Sequence, residues 1–316
     1  MSLSIRRFLL TAALALAPLT IPAGARAQEK VLRIGFQKFG ELILLKSRGT
    51  LEKKAEALGY KVTWIEFPAG PQLLEALNVG AIDFGNTGEA PPIFAQAAGA
   101  PFVYVGYEPA APKGGAILVP KDSPIKTLAD LKGKKVALNK GSNVHFLLAK
   151  ALEKGGVAYA EVQLTYLAPA DARAAFERGA VDAWAIWDPF LAAAEAATGA
   201  RTLADGTGLV SNYQFYLSTR AFAAGNPKAV QAVLDELREV DNWVQKDPKA
   251  AAAQLSGPTG IPAPVLEVAI TRQNYGIAPV SEEAVESQQT IADTFYSLGL
   301  LPEPVTVADA VWRVGS

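Results

Sequence analysis

Residues 77–83 read L-N-V-G-A-I-D and residues 176–182 read F-E-R-G-A-V-D, an offset of 99. Each stretch carries the last turn of a helical pattern, a glycine where the helix stops, and the first apolar residues of a strand. A second pair, I-G-F-Q-K at 34–38 and V-A-L-N-K at 136–140, recurs at an offset of 102, and each copy closes a strand on an amide followed by Lys. Two matches at nearly one spacing predict two copies of one βα architecture. Around the first copy, strands rich in Val, Ile and aromatics are expected at 31–36, 62–67, 82–85 and 102–106. Helices at 42–58, 72–79 and 93–98 stop at Gly59, Gly80 and Gly99. The second copy repeats this with strands at 135–139, 162–167 and 181–186 and helices at 144–154, 171–178 and 189–197. Strands alternating with helices predict an α/β protein with mostly parallel sheets. From about Pro227 the pattern is nearly all helix, at 229–244, 248–255, 264–274 and 282–298. Short, right-handed connections make the first lobe the support for this tail. The chain is therefore expected to leave that lobe near 116–119 and to return near 215–217. The expected division is 28–118 for the first part of lobe one, 119–216 for lobe two, and 217–316 for the return and the C-terminal helices. Two crossings make a hinge with a cleft.

Ahead of this pattern, Arg6-Arg7, an apolar stretch at 8–16 and Ala25-Arg26-Ala27 have the make-up of a secretory signal peptide over 1–27. Pro18, Pro22 and Gly24 interrupt the apolar run well short of the ~20 residues a spanning helix needs. A cleaved chain starting at Gln28, periplasmic and without a lipid anchor, is expected; the arginine pair leaves the general and twin-Arg export routes both open. The chain has 316 residues, 50% apolar and 19% charged, enough for two compact units with buried cores. It carries 30 Lys plus Arg against 31 Asp plus Glu, so no broad basic field suits nucleic acid or anionic lipid. Loss of Arg6, Arg7 and Arg26 leaves 30 − 3 = 27 basic residues against 31 acidic ones, a net charge of −4. No Cys and a single His, His145, exclude cysteine nucleophiles, disulfides, Fe–S clusters and nearly every zinc site, and neither metal nor cofactor is expected.

In open α/β sheets a ligand sits beyond the carboxyl ends of the strands, where helix N-termini converge. Two turns stand at such ends: Asn86-Thr87-Gly88-Glu89-Ala90-Pro91-Pro92 and Asn139-Lys140-Gly141-Ser142-Asn143. Free N–H groups and a hydroxyl ahead of an apolar helix suit an oxyanion such as sulfonate. From spacing alone, Ser142 or Asn143 reads first as an ordinary helix cap. Asp188 and Pro189 follow a strand where a cap and a first helical residue belong. Trp184 and Trp187 read either as core or as the wall of a pocket for an alkyl or aryl tail. His145, with no second His or Cys to partner it, reads as a satisfied or exposed histidine. Glu89 favours the helix dipole and would repel an anion placed too close. The run Lys132-Gly133-Lys134-Lys135 is a solvated turn.

Taken together, the stretches IGFQK at 34–38, EFPAGPQLLEALNVGAIDFGNTGEAPPIFAQAAG at 66–99, DLKGKKVALNKGSNVH at 130–145, DARAAFERGAVDAWAIWDPF at 171–190 and IADTFYSLGLLP at 291–302 closely resemble aliphatic sulfonate-binding proteins of ABC importers. The likeness runs over essentially the whole chain after the leader. It implies a type II periplasmic binding fold, two Rossmann-like α/β lobes joined by a two-crossing hinge and closing on one small anion. On the matching positions the resemblance implies ligand contacts at Gln37, Gly88, Glu89, Gly141, Ser142, Trp184 and Asp188, with Asn143 and Gln214 as further candidates. Glu89 departs from the pattern, where Asp is more usual. The implied partners are a sulfonate and an inner-membrane ABC transporter permease, met by a monomer with no catalytic residues. The same resemblance leaves taurine-like and nitrate-like ligands open. A desulfinase-like enzyme is the alternative of another class, and it relies on a Cys that this chain lacks. A ligand-sensing module for a receptor is a third.

Overall fold

The computed structural model describes residues 30–313, so the leader read at 1–27 lies outside the described residues. Among them, ten strands form two five-stranded sheets. The first contains β1 (Lys30–Phe36), β2 (Tyr60–Glu66), β3 (Phe84–Gly88), β4 (Phe102–Glu108) and β10 (Gln214–Thr219), in the order β2-β1-β3-β10-β4. The second contains β5 (Gly115–Val119), β6 (Lys135–Leu138), β7 (Gln163–Tyr166), β8 (Ala183–Trp187) and β9 (Arg201–Asp205), in the order β7-β6-β8-β5-β9. Matching β1, β2, β3 and β4 to β6, β7, β8 and β9 makes the two orders identical, with β10 standing where β5 stands. The duplicated motifs fall on equivalent elements.

Both sheets are mixed, and the reason is topological. The βα units run toward the gap between the lobes, whereas β5 and β10 start at that gap after a crossing and run away from it. Gly115 at the start of β5 pairs with Trp187 at the end of β8, and Gln214 at the start of β10 pairs with Gly88 at the end of β3, both antiparallel. These strand memberships correct the expected boundaries. Gly115–Val119 is buried between β8 and β9 and already belongs to the second sheet, ahead of the expected change at 118. Gln214–Thr219 lies wholly in the first sheet, ahead of the expected return at 217. The crossings are therefore 109–114 and 206–213.

The helices are α1 (Glu41–Arg48), α2 (Thr50–Glu56), α3 (Gly70–Asn78), α4 (Pro91–Ala97), α5 (Asn143–Lys154), α6 (Pro169–Glu177), α7 (Phe190–Thr198), α8 (Arg220–Gly225), α9 (Pro227–Lys246), α10 (Pro248–Thr259), α11 (Ala263–Thr271) and α12 (Glu282–Ser297). The single helix expected at 42–58 is two, because Gly49 takes a left-handed φ of 64° and its N–H closes α1 on the Leu45 carbonyl. The C-terminal helices cover lobe one on both faces. On α9, Val230, Val233, Leu237, Val240 and Val244 recur at three- and four-residue spacing and are buried with Leu32, Ile34, Leu42 and Leu45 of β1 and α1. Each such side chain contributes about 1.5–3 kcal/mol on burial. α12 buries Ile291 and Phe295 on the opposite face, with Leu73, Phe102 and Phe215. α11 also packs against α7 of the second lobe.

Candidate functional site

The carboxyl ends of β1, β3, β6 and β8 face one another across the gap, and Gly88 lies close against Asn143 of the second lobe. A Cβ there would stand 2.9 Å from the Asn143 side chain, which is why no larger residue fits. The Asn143 amide Nδ2 donates to Asn212 Oδ1 at 2.6 Å, and Asn212 Nδ2 donates to the Ala111 carbonyl at 2.7 Å. The start of α5 is thus tied through one amide chain to both crossings. Asn212 sits at a positive φ of 54°, a conformation Asn tolerates better than most residues. Beside it, Glu89 reaches from the start of the 89–92 turn into the return crossing, where its Oε2 accepts the Tyr213 N–H at 3.0 Å. Complete burial pushes this carboxyl from 4.5 up to about 8, against the opposing pull of its bonds to Tyr213 and Asn212 N–H groups.

The turn before α5 engages its own donors. Gly141, at φ 74°, gives its N–H to His145 Nδ1 at 3.1 Å, and the Ser142 hydroxyl gives its proton to the Asn139 carbonyl at 2.7 Å. His145 accepts at Nδ1, so its Nε2 carries the proton and faces the Tyr159 hydroxyl. Burial, then the charge of Lys140, lowers His145 to about 4, which keeps the imidazole neutral. The residue expected to be satisfied or exposed is fully satisfied and buried. Of the donors expected to be free for an anion, the Gly141 and Ser142 N–H groups, the Ser142 hydroxyl and the Asn143 side-chain amide are engaged within the protein.

The two tryptophans separate. Trp184 is 1% exposed inside the second core, its ring centroid 5.9 Å from that of Phe176. Trp187 projects from the other face of β8, where it lines a cavity of about 40 Å³ with Gln37, Phe39 and Phe67 of the first lobe. Residues three apart on a strand point to opposite faces, so only one of the pair can reach the gap. Asp188 accepts the Ala192 N–H at 3.0 Å and so closes the first turn of α7. Pro189 occupies the cap position and not the first helical one, which moves the expected Asp188 cap back by one residue. Burial raises Asp188 to about 6, opposed by Arg272, whose Nη1 lies 3.4 Å away. The same guanidinium pairs with Glu195 on α7 at 2.6 Å, so Arg272 at the end of α11 clasps the second lobe.

Buried polar atoms without partners collect at these strand ends. Gln37 uses its Nε2 on the Asn86 carbonyl, at 3.0 Å. Asn86 itself is 0% exposed with neither amide atom bonded, and Glu89 Oε1, Asn139 Oδ1 and Gln214 Oε1 are likewise unpartnered. Native proteins pair nearly all such atoms, with protein groups or with water, and of these only Asn86 Nδ2 is a donor. Asn86 and Asn139 were visible as polar ends of apolar strands; Asn212 and Arg272 gave no sequence signal. Behind the β1–α1 turn lies a second unusual group. The Tyr216 hydroxyl, with one proton, lies 2.8 Å from Glu41 Oε2 and 3.0 Å from Glu108 Oε1, with Asp241 nearby. Burial first and mutual repulsion second raise Glu41 to about 7 and also hold Glu108 high. Among the described residues no cluster of three His, Asp or Glu could hold a metal. A larger cavity, about 580 Å³, lies on the outer side of lobe one between α9, α12 and Trp312, away from the strand ends.

The family model described as "NMT1/THI5 like" matches residues 56–251. An aliphatic sulfonates-binding protein of Escherichia coli (strain K12) is 48% identical over 296 residues, covering 93% of this chain and 92% of that protein. One of Bacillus subtilis (strain 168) is 33% identical over 292 residues, 92% of this chain and 88% of that one. The alkanesulfonate-binding protein from Xanthomonas axonopodis pv. citri bound to MOPS superposes with a TM-score of 0.85 at 44% identity, over 91% of this chain and 99% of that one.

Proposed function

The chain belongs to the NMT1/THI5-like family, among its aliphatic sulfonate-binding proteins, and on that premise we propose that it captures an aliphatic sulfonate between its lobes and hands it to an ABC importer. The observation that carries the reading to a particular residue is Asn86, buried at the strand ends with its donor Nδ2 unbonded. Neutral amides and helix N-termini suit a sulfonate, which stays charged at every physiological pH and needs donors without a proton exchange. Gln37 and Trp187 stand at the same junction and support it as backing and wall. Capture needs no nucleophile, in keeping with a chain that has no Cys. The protein acts in the periplasm as a monomer, exported by residues 1–27 and released at Gln28 without lipid. N-terminal sequencing of the periplasmic fraction tests the export step. A thermal-shift screen tests the ligand class: alkanesulfonates raise the melting temperature, while taurine, sulfate and nitrate raise it less. A larger shift with taurine or nitrate would move the protein to the other ligands of its superfamily, and release of sulfite from a sulfonate or sulfinate would make it an enzyme.

A further inference from the structure

Four buried side chains of lobe one form a chain of oxygens, Glu41–Tyr216–Glu108–Asp241. The Tyr216 hydroxyl lies 2.8 Å from Glu41 Oε2 and 3.0 Å from Glu108 Oε1, and Glu108 is in turn hydrogen-bonded to Asp241. No member is more than 3% exposed. Three oxygen–oxygen contacts need three protons, and the tyrosine supplies one. The other two must sit on carboxyls, so no more than one of the three acids is ionised while the chain is intact. Burial keeps those protons in place on the acid side of neutrality: it raises Asp241 to about 6 and Glu41 to about 7, and holds Glu108 high. The backbone N–H of Glu41, which its own carboxyl accepts, pulls the other way. The remaining groups facing the chain are Tyr275 beside it, Arg238 one turn earlier on α9, which draws Asp241 down, and Lys38, which shares a small cavity with Glu41. Asp188 of the second lobe reaches it through Tyr275.

The far end of the chain carries the 272–278 segment between α11 and α12. Asp241 Oδ2 accepts the Gly276 and Ile277 N–H groups at 3.2 and 2.8 Å, and Glu108 Oε2 accepts the Gly276 N–H at 2.9 Å. Tyr107 and Ala278 exchange both backbone bonds, each at 3.0 Å. From that anchorage the segment reaches two places that set how the lobes sit. Asn274 Nδ2 donates to the Ala110 carbonyl within the 109–114 crossing at 2.5 Å, and Gln273 packs on Gly114, where a Cβ would stand 2.6 Å from its Nε2. Arg272 clasps Asp188 and Glu195 of the second lobe. Glu108 is the last residue of β4, directly before the same crossing.

We propose that the Glu41–Tyr216–Glu108–Asp241 chain is a proton latch on the first crossing: holding two protons it fixes the 272–278 segment, the crossing and the Arg272 clasp as one unit, and losing them it lets the lobes part. Above about 7 only Glu108 keeps its proton, one short of the two the chain needs. Neighbouring buried carboxylates then repel, and relief comes from separating Glu108 and Asp241, which takes the Gly276 N–H from one of them. Raised acids contribute stability below their unfolded values and lose it as pH rises through the folded ones, so the latch holds in acid and loosens toward alkali.

Amide hydrogen exchange on the ligand-free protein, corrected for intrinsic rates, and small-angle scattering test the latch from pH 5 to pH 7.5, short of the value of about 8 at which Glu89 ionises. Wild-type protection at Gly276 and Ile277 should fall at least about tenfold over this range while that of β3 stays within about twofold, and the radius of gyration should rise. Asp241→Asn keeps an acceptor for both N–H groups, donates to Glu108 and cannot ionise, so its protection should change less than about threefold and its radius should stay constant. Should Asp241→Asn fail to fold, Glu41→Gln puts a permanent N–H at the other end of the chain and should flatten both profiles likewise. A wild-type fall of less than about threefold, or a full fall in the folded variants, overturns the inference. So does loosening of 272–278 with no change in radius, which would confine the effect to lobe one.

Discussion

Glu89→Gln isolates one buried proton, and its consequence can be worked from the structure. The Glu89 carboxyl is completely buried, accepts the Tyr213 N–H, and ionises at about 8 in place of 4.5. A raised acid contributes stability that is fully present below the unfolded value and is lost as pH rises through the folded one. The interval from 4.5 to about 8 corresponds to about 5 kcal/mol, at about 1.4 kcal/mol for each tenfold change. Between pH 5 and pH 9 the wild type should therefore lose about 4 kcal/mol from this group alone. Gln has nearly the same shape and keeps an acceptor for Tyr213, but it cannot ionise. At pH 5 the two should be equally stable to within about 1 kcal/mol, because neutral Glu89 carries its proton on the unpartnered Oε1 and Gln likewise leaves a buried donor there. At pH 9 the variant should be the more stable one. Urea unfolding of both proteins from pH 5 to pH 9 gives the difference directly, since every other titrating group cancels in the subtraction. Parallel curves, with a difference changing by less than about 1 kcal/mol, would refute the burial argument and return Glu89 to a solvated or ligand-facing role.

The other expectations follow from single contacts. His145 should give one imidazole signal in NMR that stays neutral from pH 8 to pH 5 and titrates near 4; its contribution to stability is present above 6.5 and lost as pH falls through about 4. Trp187→Phe should abolish most of the fluorescence change on sulfonate binding, while Trp184→Ala should cost about 3–5 kcal/mol of stability as a core truncation, read by denaturant unfolding. Gly88→Ala should destabilise by about 1–3 kcal/mol, measured the same way, because its new methyl meets Asn143, which Asn212 holds in place. Arg272→Ala should raise the sulfonate dissociation rate up to about tenfold in stopped flow, having removed the pairs to Asp188 and Glu195.

What was legible in the sequence is what local chemistry writes. The glycines after 77 and 176 mark helix stops that tertiary packing cannot move, so the duplication and its equivalent strands could be read directly. β5 and β10 were not, although GAILV and QFYLST are ordinary strand sequences, because their place between two neighbours depends on residues about a hundred positions away. A glycine inside a helical pattern costs only about 1 kcal/mol, so nothing but the left-handed φ of Gly49 reveals that α1 and α2 are separate. The tryptophan pair was separable in principle: had the strand read at 181–186 been carried one residue further, 184 and 187 would fall on opposite faces. The Gly-Ser turn is ambiguous for a different reason. Its donors are the right type for an anion, but whether they are free depends on His145 Nδ1 and the Asn139 carbonyl, and on how the turn folds back on them.

The contacts between the lobes divide by their distance from the crossings, and that division bears on how capture works. The Asn143–Asn212–Ala111 chain and the Glu89–Tyr213 bond involve the crossing residues themselves, so a rotation about 109–114 and 206–213 need not break them. The Arg272 pairs and the walls around Trp187 and Pro189 lie on the far side and must separate when the lobes part. A ligand can shift such an equilibrium only by its differential affinity for the two states. A ligand touching Asn86 and its neighbours on β1 and β3 alone would bind both states almost equally, because those groups sit in one lobe. Only a ligand that meets groups of both lobes distinguishes the closed state from the open one.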